Sequence, residues 1–186
     1  MGPFEVSKEA VSRLDDVQLR RLLERLLLAE ANACGIPHIG IYVGGSQTAG
    51  DGGVDASIRW SADPTPSGWL PRRLIYFQCK AEAMGPAKLR KEMRPDGSPR
   101  VIFAELAADD GAYIVFSTDD PSKSALDGRL AALQQAVHDV GGADRIHLDF
   151  YGADRIARWA NLHPGVAIWL LGQDGRALGG WRPYGD

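Results

Sequence analysis

What the chain lacks narrows the field first. It has only two cysteines in 186 residues, Cys34 and Cys79, far apart and in no CxxC or Cys/His spacing. That excludes a disulfide scaffold and gives no sign of a zinc ribbon, and a reduced, cytoplasmic setting is the simplest expectation. No stretch approaches the roughly 18 consecutive apolar residues that a membrane-spanning helix requires. The first fifteen residues mix polar and apolar positions with five charges, unlike a secretory signal. There is no internal repeat and no low-complexity tract. The four histidines (His38, His138, His147 and His163) show no ligand spacing and read as structural. No Ser-His-Asp or Cys-His arrangement can be argued, and the loop around Ser46 lacks the GK[ST] ending of a phosphate-binding P-loop.

What remains is a globular composition, 45% apolar and 24% charged, long enough for one domain with a substantial core. The net charge of −3 conceals an asymmetry. From Arg72 to Arg100 there are eight basic residues against three acids, a net +5, which leaves −8 for the rest. Affinity for phosphate follows where Lys and Arg sit rather than the mean charge of the chain.

Periodicity predicts the elements. Residues 15–34 carry leucines at helical spacing, with Asp15 and Asp16 at the start and Gly35 and Pro37 past the end, so a helix is expected there. Strands are expected over 38–45, 54–60 and 72–80, the last being β-branched and aromatic in its middle. A basic helix over 86–94 ends at the PDGSP stretch. A continuous apolar strand follows at 112–118, of the kind found inside a sheet. Then come a helix over 122–140, a strand over 145–152, a helix from 153 to 161, and an apolar segment, 164–171, that could be helix or strand. This order predicts an α/β domain whose mixed sheet carries helices on both faces.

Three positions stand out chemically. Asp55 opens a strand directly after a Gly-rich loop, GDGG. Gln78 and Lys80, two apart on the best strand, share a face, while Ile75, Phe77 and Cys79 share the other. If the two strands pair, a carboxylate, an amide oxygen and an ammonium converge at one end of the sheet. Such a set can hold a hard divalent cation, with the lysine stabilising developing negative charge.

The succession GDGGVD, then QCK, behind a helix bearing Glu24 in LLERLL, resembles the PD-(D/E)xK nucleases and specifically the Mrr-like restriction endonucleases. The resemblance covers about residues 15–118 and implies a restriction-endonuclease-like αβββαβ core, with residues 119–186, including extra C-terminal helices, as peripheral additions to a single nuclease-like domain spanning 1–186. It implies a metal-dependent DNA endonuclease, a hydrolase acting on double-stranded DNA. Glu24, Asp55 and Gln78 would hold Mg²⁺ or Mn²⁺, and Lys80 would assist the attack on phosphorus. Gln78 stands where most relatives carry an acid, so the site would hold its cation less tightly.

Each position also has an ordinary reading. Arg20 and Arg21 offer Glu24 a helix ion pair, although Leu27, Leu28 and Ala31 on its face would leave it in need of a partner. Glu30 is its rival on the same helix, and Asp51 could support the site from the loop. The basic helix with Lys88, Arg90, Lys91 and Arg94 follows the lysine motif and is expected to grip the DNA backbone without reading sequence. The C-terminal stretch HLDFYGADRIARWANLHPGVAIWLL, then GGWRPYG, is similar to nuclease domains at the front of large bacterial antiviral NTPase proteins. That implies the effector of a defence or restriction system, self-associating or tethered to NTPase and sensor domains, and a chain that continues beyond Asp186. Two other functions stay open: a catalytically inactive nuclease fold that binds DNA or a partner, and a resolvase of branched DNA.

Overall fold

The long helix shows how local sequence sets the architecture. The computed structural model describes residues 4–44, 53–66 and 68–173. A short helix α1 (Lys8–Ser12) precedes α2 (Asp16–Cys34). The carboxylate of Asp15 accepts from the backbone N–H of Gln18, and the Gln18 side chain accepts from the Asp15 N–H, so the two orphan donors are satisfied reciprocally. Leu19, Leu22, Leu23, Leu26 and Leu27 are fully buried. Each contributes roughly 1.5–3 kcal/mol over an exposed position. Gly35 ends the helix in the left-handed region at φ 74°, where a side chain would be strained.

A 3₁₀ turn (His38–Gly40) then leads to β1 (Ile41–Val43), and β2 (Ala56–Arg59) and β3 (Leu74–Lys80) follow. Two helices, α3 (Pro86–Met93) and α4 (Ile102–Ala108), precede β4 (Ala112–Ser117). After α5 (Lys123–Val137) come β5 (His147–Tyr151), α6 (Ala153–Asn161) and α7 (Pro164–Gln173). The five strands form one mixed sheet in the order β1-β2-β3-β4-β5. The first two pairings are antiparallel and the last two parallel. β4 is buried along its whole length, as an interior parallel strand must be.

Side chains from alternate positions divide between two apolar layers. One packs Ile75, Phe77 and Cys79 with α1, α2, α6 and α7. The other packs Leu74, Tyr113 and Val115 with α3, α4 and α5. The α/β class and the helices on both faces are thus as expected, and the ambiguous apolar segment 164–171 is helical. Three features differ from the sequence reading. The segment 38–45 pairs only from Ile41, because His38–Gly40 turns. Helices α1 and α4 were not anticipated, each being too short to display a full apolar stripe. Residues 147–171, expected as additions to a core ending near 118, supply a strand of the same sheet and part of the same apolar layer as α2.

Candidate functional site

The site lies at the carboxyl end of β3, where a parallel-strand end meets the start of an antiparallel neighbour. β2 and β3 do pair, with Ala56 opposite Phe77. One residue earlier, the Asp55 N–H donates to the Phe77 carbonyl at 2.9 Å. The ladder stops there, and the Asp55 carboxylate takes over the next backbone donor, accepting from the Cys79 N–H at 2.8 Å. Its other oxygen faces Arg20 of α2 at 3.4 Å. Asp55 therefore sits at a fixed point with a quarter of its side chain still exposed.

Gln78 and Lys80 share a face, as their spacing predicts, but β3 is the central strand, so they stand at its end rather than at a lateral edge of the sheet. Both meet Glu92 of α3. One Glu92 oxygen accepts from the Gln78 amide at 2.7 Å and from Arg100 at 3.1 Å, and the other faces the Lys80 ammonium at 3.1 Å. Arg100 also donates through Nε to the Glu92 backbone carbonyl at 2.8 Å. Burial alone would raise the Glu92 pKa, but Lys80, Gln78 and Arg100 together outweigh it and hold the carboxyl below its usual range. The Gln78 amide oxygen accepts from the Tyr113 hydroxyl at 2.5 Å. Burial pushes that hydroxyl far above the ordinary tyrosine range, so it stays a donor. The Cys79 thiol is likewise raised well up by burial.

The Gly-rich approach to Asp55 has a visible steric purpose. Gly53 has φ +85°, and a Cβ there would meet the Arg100 guanidinium at 2.7 Å. Arg100 thus passes between Gly53 and Glu92. Only glycine leaves it room. Asp51 and Ser46 lie outside the described residues.

Glu24 is placed differently from its expectation. It is exposed on α2, with no partner among the described residues, so its apolar neighbours do not bury it. Arg20, offered as its ion-pair partner, turns to Asp55 instead. Glu24 follows Arg20 by one helical turn on the same side. Glu30 is engaged elsewhere, accepting from the Trp159 indole N–H at 2.8 Å and lying 2.8 Å from His163 Nε2.

The basic helix splits in two. Arg90 and Lys91 are exposed. Lys88 pairs with Glu82. Arg94 is a structural tie, forked onto Asp139 at 2.7 and 2.9 Å and donating to the carbonyls of Gly97 and Ala136.

Sequence reading missed Arg20, Glu92, Arg100 and Tyr113. Glu92 did leave a signal, as the one acid on an otherwise cationic helix, beside the buried Leu89 and Met93. The others left none, because their role depends on which elements pack together.

Among the described residues, no three of His, Cys, Asp and Glu gather as a metal cage. The donor chemistry still suits Mg²⁺, which commonly keeps several waters and binds through one or two carboxylates plus substrate phosphate. Asp55, fixed and partly exposed, could serve as such a carboxylate.

No protein-family model matches this chain, and neither a curated protein nor a solved structure matches it. No described helix is long and apolar enough to cross a membrane.

Proposed function

We propose that this chain is a metal-dependent DNA endonuclease of the PD-(D/E)xK, Mrr-like type. The observation that carries this reading is that Asp55, at the start of β2, pins its carboxylate to the Cys79 N–H of the paired strand β3, one residue before Lys80. Asp55 would anchor the cation, with Glu24 as the second carboxylate and Gln78 as the neutral third donor that the resemblance implies. When bound, the Mg²⁺ (or Mn²⁺) polarises the scissile phosphate and lowers the pKa of an attacking water. Lys80 neutralises charge that develops on the phosphoryl oxygens. Its ammonium is only partly exposed and is held beside the Glu92 carboxylate at 3.1 Å, so a phosphodiester arriving there joins an anion already in place. Arg90 and Lys91, exposed on the helix after the lysine motif, hold the backbone of double-stranded DNA without reading bases. Purified protein incubated with plasmid and Mg²⁺ or Mn²⁺ is expected to nick or linearise it, and Lys80→Ala to abolish cleavage. Equal activity in the variant would remove the active-site assignment.

Two observations favour a second reading, an inactive nuclease fold that binds DNA or a partner protein: the Gln78 oxygen is already occupied by Tyr113, and Glu24 lies in solvent. Wild-type inactivity in every metal, with duplex binding retained, would select that reading. Preferential cutting of a four-way junction over linear duplex of the same sequence would select a resolvase. Service as the effector of a larger antiviral or restriction assembly belongs to the same proposal, and is tested by whether the full gene product couples cleavage to a nucleotide-dependent module.

A further inference from the structure

The contacts around Gln78 point to a different job from the one its place in the motif implies. We infer that Gln78 is a positioning residue that clamps Glu92, and that Glu92 in turn holds the Lys80 ammonium at the mouth of the site. The role of Lys80 in cleavage rests on the nuclease reading above, whereas the clamp rests on geometry alone.

The orientation of the buried amide is forced. An ionised carboxylate can only accept, so the NH₂ of Gln78 must face Glu92, 2.7 Å away. Its oxygen then faces Tyr113, whose hydroxyl is buried, protonated and donating. Gln78 is 3% exposed, so its amide is shut off from bulk solvent and bonds to these two partners. A cation on the Gln78 oxygen would have to compete with the Tyr113 hydroxyl, whereas the clamp uses both ends of the amide at once. Glu92 is held from the opposite side by Arg100, which donates to its carboxylate and to its backbone carbonyl. Arg100 is itself seated against Gly53. The second Glu92 oxygen is thereby aimed at Lys80. Glutamine suits this position where an acid does not: a carboxylate at residue 78 would face Glu92 with no proton to donate.

The deciding comparison is Gln78→Glu with Glu92→Gln. A metal-ligand role predicts that Gln78→Glu, by adding a charge to the donor set, tightens Mn²⁺ binding in calorimetry by about tenfold or more. The clamp predicts unchanged Mn²⁺ affinity and a fall of about tenfold or more in kcat for plasmid cleavage at unchanged KM, in both variants. It also predicts faster acylation of Lys80 in Glu92→Gln, which removes the ammonium's carboxylate partner, measured by mass spectrometry against the exposed Lys91 in the same sample. Glu92 lies at the partly exposed mouth, so Glu92→Gln keeps the test open if the buried Gln78→Glu fails to fold, which a thermal melt reports. Tighter Mn²⁺ binding in Gln78→Glu, or wild-type Lys80 labelling in Glu92→Gln, overturns the clamp. Wild-type protein that cuts no DNA overturns the nuclease reading instead, and the labelling ratio still decides the clamp.

Discussion

Two glutamates, Glu92 on α3 and Glu30 on α2, are both partly buried and both collect several donors, yet they belong to different kinds of structure. Glu92 is surrounded by Lys80, Arg100 and the Gln78 amide, on a side of the sheet that opens to solvent at the end of β3. Glu30 accepts from the indole of the fully buried Trp159 and bonds His163, with Cys34 beside it. Those partners tie α2 to the helices that follow β5. Cations with a fifth of their side chains exposed can take on a second counter-ion, which is what a phosphate site needs. A carboxylate bonded to an indole brings no cation for a phosphate to meet. The contrast separates a candidate site from a helix clamp, although both are acids among polar groups.

The sharpest way to break that contrast is Asp55→Asn. The amide oxygen can still accept from the Cys79 N–H, so the fold is expected to survive while the fixed negative charge is lost. Cleavage should fall by about 10²–10³-fold, with a melting temperature near wild type. A collapse in stability instead would make Asp55 a structural cap. Glu30→Ala tests the other side. It strands the Trp159 N–H and the His163 ring, and should cost about 1–3 kcal/mol in urea denaturation with duplex affinity unchanged. Lost DNA binding in a folded Glu30→Ala protein would show that the clamp is not merely structural.

Gly53→Ala joins the two effects at smaller size. The left-handed backbone and the collision with Arg100 should together cost roughly 1–2 kcal/mol and loosen the hold on Glu92. Restored activity in Gly53→Ala combined with Arg100→Ala would identify the collision as the cause. The smallest effects lie on the basic helix. Lys91→Ala should reduce the salt dependence of duplex binding by about one unit of slope. Arg94→Ala should leave that slope unchanged and lower stability, because its guanidinium is spent on α5. Arg94 holds the Asp139 carboxyl down at about 2. With the folded pKa below the unfolded one, the pair's contribution is present above about pH 4 and is lost as pH falls through about 2. Wild type and Asp139→Asn should therefore differ slightly in melting temperature near neutrality and converge in acid.

Much of this was legible in the chain. The leucine spacing and the Asp15 and Gly35 ends mark α2 within a residue, since both signals are local. The apolar run 112–118 announces an interior strand because burial on both faces removes the alternation. Face-sharing of Gln78 and Lys80 follows from the two-residue repeat alone. Helices α1 and α4 were not legible, because five to seven residues show too little of a helical period.

Local pattern, then, determined most of the element order, the α/β class and the placing of Asp55 and Lys80 at strand ends, while the pairing of those strands came from the fold. Only the tertiary structure decided who stands beside them. Glu92 follows Lys80 by a helix, Arg100 by a further loop and Tyr113 by another strand, and no short-range signal links those positions. Their meeting depends on α3 packing over β3 and on β4 pairing with it in parallel. For the same reason Arg20 went to Asp55 and not to Glu24: neighbours on a helix compete with whatever the fold brings across, and a pinned carboxylate at the end of β2 was the better partner.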